Sequence, residues 1–314
     1  MKAATIVNGE LECRDHPDPE PGPGQVLIRV RAAGLNAADL HQKAGGYPPP
    51  PGIPADIPGL ELAGEVVATG PHAMRFAAGD RVMALVGGAG QAELAVVHER
   101  EAMPMPSALS WEQAGGLPEV FTTAHDALFT QCHLGMGERV CIHGAAGGVG
   151  TAAVQLAAKA GAMVVATVRN ADFREAVSQL GAMTVIAPED TASCGPYDVI
   201  LELVGAPNMA ANLEALATGG RISVIGVMAG AQIDLGLHVL MLQRAVLRGS
   251  TLRTRPLEEK AAAARAVERH VLPLFETGRL RVPIAATYPL DRAAEAYQRF
   301  ASGGKFGKIV LTVP

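Results

Sequence analysis

Hydrophobic and polar positions alternate in the first part of the chain, as expected for short β-strands. Over residues 26–32, the apolar Ile28, Val30 and Ala32 share one face, while Arg29 and Arg31 share the other. Comparable runs are separated by Pro, Gly and Asp turns, and they predict strands at 4–7, 26–32, 65–69, 81–86 and 92–97. We therefore expect residues 1 to about 110 to be rich in β structure.

Beyond this part the apolar pattern changes to alternating strands and helices. Ser110 and Gln113 fit a capping box that begins a helix. The pattern then predicts strands at 140–142, 163–168, 184–186, 199–204, 221–226, 245–251, 284–288 and 308–313, and helices at 119–134, 148–160, 172–180, 209–216, 257–275 and 292–301. This alternation is typical of a doubly wound parallel sheet, so the predicted fold class is α/β.

A glycine-rich turn joins the strand at 140–142 to the following helix. Its glycines let a pyrophosphate approach the backbone, and the free N–H groups and positive dipole end of the helix favour an anion. The spacing is G-x-x-G-x-x-G, not the commoner dinucleotide fingerprint, and a helix packed tightly on a sheet through small residues is the alternative. We favour dinucleotide binding, with predicted contacts at Gly144, Ala146, Gly147, Gly148, Val149 and Gly150.

Two domains are expected, because 314 residues exceed what one hydrophobic core usually supports. A lone final strand commonly pairs back into the first domain. The predicted division is therefore a discontinuous domain, residues 1–117 with 280–314, and a cofactor-binding domain, residues 118–279.

Composition and charge exclude several classes of function. The net charge of −5 and the absence of long Lys/Arg runs argue against nucleic acid or an acidic membrane as a partner. No apolar stretch reaches the roughly 18 residues of a membrane span, and the first residues lack the profile of a signal peptide. The four cysteines are far apart, so we expect free thiols in a reducing compartment and a cytoplasmic protein without a zinc site.

Six motifs together resemble one family. They are GLNAADLHQKAGGY (34–47), PGLELAGEV (58–66), HGAAGGVGTAAVQLA (143–157), YDVILELVG (197–205), GSTLRTRP (249–256) and GKFGKIVL (304–311). In this order they resemble the zinc-independent quinone oxidoreductases, the NADPH:quinone reductases of the medium-chain dehydrogenase/reductase superfamily. The resemblance implies a GroES-like, partly open β-barrel domain joined to a Rossmann domain with a doubly wound parallel sheet, and an active site in the cleft between them.

The resemblance also implies metal-free chemistry. Zinc-dependent members carry a cysteine where this chain has Asn36 and a histidine where it has Leu60. Glu61 remains, but one carboxylate does not hold a catalytic zinc, which needs about three protein ligands.

The predicted cofactor is NADPH. In dinucleotide folds an acidic residue about 20 positions beyond the glycine turn binds the ribose 2′-OH. Here the strand at 163–168 ends in Arg169 and Asn170, and a guanidinium there suits the 2′-phosphate of NADP(H), with Arg174 able to assist. The alternative is a solvated Arg169 paired with Asp172.

Asn36 and Tyr47 are the predicted catalytic residues. By analogy with relatives, Asn36 faces the nicotinamide and hydrogen-bonds the ribose or the acceptor oxygen; the alternative is a residue that stabilises a turn. Tyr47 matches a proposed proton donor of related enoyl-thioester reductases, and it protonates a carbon, donates to an oxyanion, or simply packs on the proline run. The resemblance and the strand ends add further cofactor contacts: Thr122, Leu203, Val204, Gly226, Val227, Met228, Arg253 and Phe306. For Arg253 and Phe306 a structural role is equally open.

The leading hypothesis is an NADPH-dependent reductase that transfers hydride to a quinone. An enoyl or 2-alkenal reductase acting on an activated C=C bond of an unsaturated carbonyl is the alternative enzyme, and a cofactor-binding protein with little turnover is the alternative of another class. Family members are usually oligomers that pair sheet edges. The strand at 245–251 therefore predicts a homodimer.

Overall fold

The computed structural model describes residues 1–314 and divides into two compact units. Unit 1 comprises Met1–Thr122 and Leu252–Pro314, and unit 2 comprises Thr123–Thr251. The chain returns to unit 1 earlier than the predicted boundary at 280. The reason is that the segment after residue 252 packs on unit 1, where Arg265 donates to the Ala102 carbonyl at 2.7 Å.

The strands and helices are numbered in chain order. The strands are β1 Lys2–Val7, β2 Glu10–Asp15, β3 Gln25–Gly34, β4 Glu61–Thr69, β5 Arg81–Leu85, β6 Leu94–His98, β7 Ala102–Pro104, β8 Arg139–Ile142, β9 Met163–Thr167, β10 Thr184–Ile186, β11 Tyr197–Glu202, β12 Leu216–Val224, β13 Val246–Gly249, β14 Ile284–Pro289 and β15 Lys308–Thr312. The α-helices are α1 Ala37–Lys43, α2 Trp111–Gly115, α3 Pro118–His125, α4 Gly148–Lys159, α5 Arg174–Ser178, α6 Met209–Glu214, α7 Leu237–Gln243, α8 Leu257–His270, α9 Leu272–Glu276 and α10 Ala293–Ala301.

Unit 2 is built on a six-stranded sheet in the order β10-β9-β8-β11-β12-β13. All its pairings are parallel, which confirms the predicted doubly wound fold class. The chain runs outward from β8 through β9 and β10, then returns to the other side of β8 with β11. The order therefore reverses between β8 and β11, and ligands of open α/β sheets bind at such a switch point.

Unit 1 contains a seven-stranded sheet in the order β14-β15-β3-β4-β5-β7, with β6 also paired to β3. The predicted alternation along β3 is confirmed, since Ile28 and Val30 are fully buried whereas Arg29 is exposed. The last strand, β15, pairs antiparallel with β3 and brings Val310 opposite Gly34. The last strand thus lies beside the residues that lead into α1.

Some elements differ from the sequence prediction. The predicted helix at 119–134 is α3 followed by a π-helical segment, Asp126–Gln131, and the predicted helix at 257–275 is two helices that meet at Val271. Pro273 lies in the first turn of α9, where its missing N–H costs nothing, and it favours a new helix start there. The pattern missed β2, α1, β7 and α7 altogether. No helix is both long and apolar enough to cross a membrane.

Candidate functional site

The glycine-rich turn lies at the switch point of the unit 2 sheet, directly after β8. Gly144 has a φ of +59°, a left-handed conformation that favours glycine, and the Gly147 N–H donates to its carbonyl at 2.9 Å. Gly147 caps α4 through its backbone, and no side chain caps this helix. The first N–H groups of α4 therefore remain available to an anion.

Close packing explains why the turn needs small residues. A Cβ on Gly150 would lie 2.4 Å from the Gly144 carbonyl oxygen and 2.6 Å from the Ala145 Cα, so the first turn of α4 rests directly on the backbone. Gly150 is buried, whereas the stretch 146–149 is half-buried. The bare, partly open backbone of this stretch fits the pyrophosphate of a dinucleotide.

The ends of β11 and β12 lie beside this turn. A Cβ on Gly144 would contact Val204 at 3.4 Å and Leu203 at 3.7 Å, and a Cβ on Gly226 would lie 2.4 Å from the Leu203 carbonyl oxygen. The structure therefore brings the predicted contacts Leu203, Val204 and Gly226 together with the glycine turn. The next two predicted contacts, Val227 and Met228, are 41% and 49% exposed.

A buried polar network beneath the turn was not predicted from the sequence. The His143 ring lies 2.6 Å from Asn212 Oδ1 through Nε2 and 3.1 Å from Thr167 Oγ1 through Nδ1. Because the Asn212 amide nitrogen donates to Glu202, its oxygen is the acceptor, so Nε2 carries the proton. Burial lowers the pKa of His143 and favours the neutral ring.

Glu202 links this network to the end of β11. Its Oε1 accepts from the Val204 and Gly205 N–H groups at 2.7 and 2.8 Å, and its Oε2 accepts from Asn212 at 2.7 Å. The network thus fixes the backbone at the ends of three neighbouring strands. The sequence signal for this network was Glu202, a single acidic residue inside the apolar run VILELVG.

The end of β9 carries the residues predicted to choose the cofactor. Arg169 is exposed, and no salt bridge joins it to Asp172. The Asn170 side chain accepts from the Asp172 N–H at 3.0 Å and so caps a short 3₁₀ turn, while Arg174 Nε donates to the Val168 carbonyl at 3.4 Å. Asn170 and Arg174 thus each make one local hydrogen bond, the Arg169 guanidinium is available, and the contact of all three with the cofactor stays a prediction.

In unit 1, Asn36 belongs to a buried polar cluster. Its Nδ2 donates to Glu61 Oε1 at 3.0 Å, and its Oδ1 accepts from Lys308 Nζ at 2.6 Å. Lys308 Nζ also lies 2.6 Å from Glu61 Oε1 and donates to the Leu35 carbonyl at 2.7 Å. The exposed fractions are 8% for Asn36, 0% for Glu61 and 2% for Lys308, so this is a desolvated ion pair joined to an amide.

Asp39 braces the same cluster from α1. Its two carboxylate oxygens accept from the Asn36 N–H at 2.8 Å and the Gly59 N–H at 3.1 Å. Burial raises the pKa of Asp39 to about 6, against the lowering effects of these hydrogen bonds and of Lys308. Asn36 is thus held both as the N-cap of α1 and by its side chain.

Tyr47 is held by Arg253. The guanidinium donates to the Tyr47 carbonyl at 2.8 Å, lies 4.7 Å from the Tyr47 ring centroid, and donates from Nε to the Gly87 carbonyl at 2.7 Å. Its remaining nitrogen, Nη2, donates to Gln42. With 5% exposure and all three nitrogens engaged within unit 1, Arg253 has a structural role, and a contact with the cofactor stays a prediction.

Two further predicted contacts lie in unit 1. Thr122, in the middle of α3, is 2% exposed, and its hydroxyl has no hydrogen-bond partner in the protein. Phe306 is half-buried in the loop before β15. Their proximity to the nicotinamide stays a prediction.

The chain matches two family models and has extensive similarity to known proteins. Residues 22–133 match the alcohol dehydrogenase GroES-like domain and residues 148–269 match the zinc-binding dehydrogenase model. The quinone oxidoreductase of Rattus norvegicus is 32% identical over 305 residues, which cover 93% of this chain and 90% of that protein. The chain belongs to the quinone oxidoreductase family of the medium-chain dehydrogenase/reductase superfamily. The resemblance predicted from the motifs is confirmed, and the chain is an oxidoreductase with a nicotinamide-cofactor fold.

Solved structures of this superfamily confirm the fold class. An NAD-dependent alcohol dehydrogenase has a TM-score of 0.88 at 28% identity, with all of both chains covered. A mycobacterial protein complexed with NADPH has a TM-score of 0.88 at 25% identity, covering 99% of this chain and 100% of that one. The overall architecture is therefore shared with an NAD-dependent alcohol dehydrogenase and with a protein solved in complex with NADPH.

The residues of this family member do not fit a catalytic zinc. Of Asn36, Leu60 and Glu61, only Glu61 has a side chain that commonly ligates zinc. Its Oε1 is already bound by the Lys308 ammonium, and its Oε2 accepts from the Glu119 N–H at 2.8 Å. The Lys308 ammonium therefore already neutralises the carboxylate that a metal ion would need as a ligand.

Proposed function

We propose that this protein is an NADPH-dependent reductase that transfers hydride to a quinone without a metal ion. The observation that carries the proposal is the open, glycine-lined backbone at the switch point of the sheet, followed at the end of β9 by Arg169 instead of an acid. The similarity to proteins named quinone oxidoreductase supports the choice of acceptor.

NADPH is proposed over NADH because Arg169 offers an unpaired guanidinium to a 2′-phosphate. Hydrogen bonds to charged groups contribute about 1.5–3 kcal/mol, so Arg169→Ala is expected to lower the NADPH preference in kcat/KM by roughly 10- to 100-fold. Lys159→Ala removes another exposed cation of unit 2 and serves as the control. Equal use of NADH and NADPH by the wild type, with no effect of Arg169→Ala, would contradict the assignment.

Metal-free reduction is proposed because a quinone itself stabilises the negative charge that it gains with the hydride. Hydride addition to a quinone gives an aromatic oxyanion, which needs a hydrogen-bond donor but no strong Lewis acid. Asn36 is the proposed donor, and Tyr47, held by Arg253, is the proposed acid; a positioned acid typically contributes ~10²–10⁴-fold. Turnover is expected to survive chelator treatment, with less than one metal ion per chain found by elemental analysis. Activity that returns only on zinc addition would overturn this part.

The acceptor class is tested by substrate comparison. We expect the protein to oxidise NADPH faster with 1,4-benzoquinone or a naphthoquinone than with a 2-alkenal or a crotonyl thioester. The reverse order would identify an enoyl or 2-alkenal reductase. Tight NADPH binding without oxidation across the whole panel would identify a cofactor-binding protein with little turnover.

A homodimer is proposed through the edge of the unit 2 sheet. Strand β13 has no partner on its outer side, and the adjoining α7 exposes Leu237, Met241 and Leu242 at 68%, 77% and 79%. Apolar exposure beside an unpaired strand is typical of a protein–protein contact. Leu242→Asp is expected to yield monomers in light scattering, whereas Met74→Asp, on an exposed methionine of unit 1, is not. A wild-type particle of 32.4 kDa, the mass of one chain, would contradict the dimer.

A further inference from the structure

Lys308 has no capacity left for a substrate. Its ammonium group donates to Asn36 Oδ1 at 2.6 Å and to the Leu35 carbonyl at 2.7 Å, and it forms an ion pair with Glu61 Oε1 at 2.6 Å. With 2% exposure it is also shielded from solvent. Its effect on chemistry must therefore pass through one of these partners.

The partners on either side of the Asn36 amide have opposite and fixed polarity. Lys308 can only donate, so the amide atom facing it is the oxygen; the Glu61 carboxylate can only accept, so the atom facing it is the nitrogen. Rotating the amide by half a turn would place Nδ2 against the ammonium and Oδ1 against the carboxylate. Both contacts would then be repulsive in a desolvated site, so only one orientation is stable.

This orientation leaves one directed hydrogen-bond donor. The Asn36 Nδ2 group carries two N–H bonds, and one of them is used by Glu61 at 3.0 Å. The other has no partner within the protein, and Asn36 retains 8% exposure. Asn36 thus has an N–H group that can donate to an oxygen, while its own oxygen is held against the Lys308 ammonium.

We propose that Lys308 is a positioning residue that locks the Asn36 amide as a hydrogen-bond donor to the oxyanion of the reduced acceptor. This inference rests on the proposed reductase function and adds to it the residue that determines the polarity of the donor. Lys308 itself does not touch the acceptor. Without it, the amide loses the contact that distinguishes its oxygen from its nitrogen.

A double-mutant cycle measures the dependence. Removing one oxyanion donor typically lowers kcat by ~10²–10³-fold, and we expect this for Asn36→Ala and a comparable loss for Lys308→Met. If Lys308 acts through Asn36, the double variant is no slower than the slower single variant. Losses in kcat that multiply in the double variant would overturn the inference, since they indicate two independent effects.

Lys308→Met leaves the Glu61 carboxylate buried without its cation, and this variant can fail to fold for that reason alone. The pair Glu61→Gln with Lys308→Met contains no uncompensated charge, so it tests the same point. We expect this pair to be folded and as slow as Asn36→Ala, whereas Glu61→Gln alone, which keeps the Lys308 contact with Asn36 Oδ1, loses less kcat than the pair. Wild-type kcat in the folded pair would overturn the inference.

A measurement that does not depend on turnover separates this inference from the proposed function. The Asn36 side-chain amide is identified in proton–nitrogen NMR spectra by its absence in Asn36→Ala, and 4-nitrophenolate serves as a stand-in for the oxyanion on protein saturated with NADP⁺. We expect the phenolate to shift this amide signal downfield in the wild type and in Glu61→Gln, and not in the Glu61→Gln/Lys308→Met pair. An equal shift in the pair overturns the role of Lys308. Failure of the wild type to reduce quinones would instead overturn the proposed function, while the NMR result still decides the orientation.

Discussion

Gly150→Ala tests whether the glycine turn holds the cofactor. The added Cβ would lie 2.4 Å from the Gly144 carbonyl oxygen, whereas ordinary contact begins at 3.4 Å, so α4 and the turn must separate by about 1 Å (3.4 − 2.4). Overpacking of this size costs about 1–3 kcal/mol, and the higher helix propensity of alanine returns about 1 kcal/mol. The free energy of unfolding should therefore fall by only ~0–2 kcal/mol.

The effect of Gly150→Ala on NADPH binding should be larger than its effect on stability. Moving the helix start by about 1 Å breaks or lengthens roughly two charge-assisted hydrogen bonds to the pyrophosphate, about 1.5–3 kcal/mol each. We expect Kd for NADPH to rise by at least ~10²-fold, measured by fluorescence titration, and the cofactor-induced rise in Tm to disappear.

Gly135→Ala is the matched control for this substitution. Its nearest neighbour would be Glu138 Oε2 at 3.6 Å, so it should bind NADPH as the wild type does. A folded Gly150→Ala variant with wild-type affinity for NADPH would refute the proposal that the pyrophosphate rests on this turn.

Three further substitutions test individual interactions. Arg253→Met should lower Tm and kcat but leave Kd for NADPH unchanged, because its hydrogen bonds hold Tyr47 and its neighbours within unit 1; weaker NADPH binding would instead restore Arg253 as a cofactor contact. Burial raises the pKa of Asp39 from 3.8 to about 6, so wild-type stability should fall relative to Asp39→Asn by ~2 kcal/mol between pH 4 and 7, and a pH-independent difference in urea unfolding would contradict this. Burial lowers the pKa of His143, so the pH dependence of stability runs the other way. The stability that the neutral ring contributes is present above the unfolded pKa of about 6.5 and is lost as pH falls. The Tm difference between wild type and His143→Gln should therefore shrink from pH 7 to 5. A Tm difference that grows on acidification would contradict it.

Local patterns predicted the unit 2 fold well because each signal there is short in sequence. The strand at β8, the glycines after it and the helix from Gly148 are contiguous, so one stretch of sequence specifies the turn. The same reasoning did not predict α1. The signal was Asn36 followed three residues later by Asp39, whose side chain accepts from the Asn36 N–H to complete a capping box.

The side-chain partners of Asn36 could not be predicted from local sequence patterns. Its side chain is set by Lys308, 272 positions further along the chain, and by Glu61, 25 positions away. Only the antiparallel pairing of β15 with β3 brings the lysine to this place. From the sequence, Lys308 was one cation in a final strand. A buried lysine has to be paired, but no spacing rule identifies its partner.

The most direct test of the account is the rate of NADPH oxidation by chelator-treated, metal-analysed wild-type protein in the presence of 1,4-benzoquinone. We predict saturable, quinone-dependent oxidation with less than one metal ion per chain, a preference for NADPH over NADH, and loss of this activity in Gly150→Ala. No quinone-dependent oxidation, or activity that appears only when zinc is added, would contradict the account.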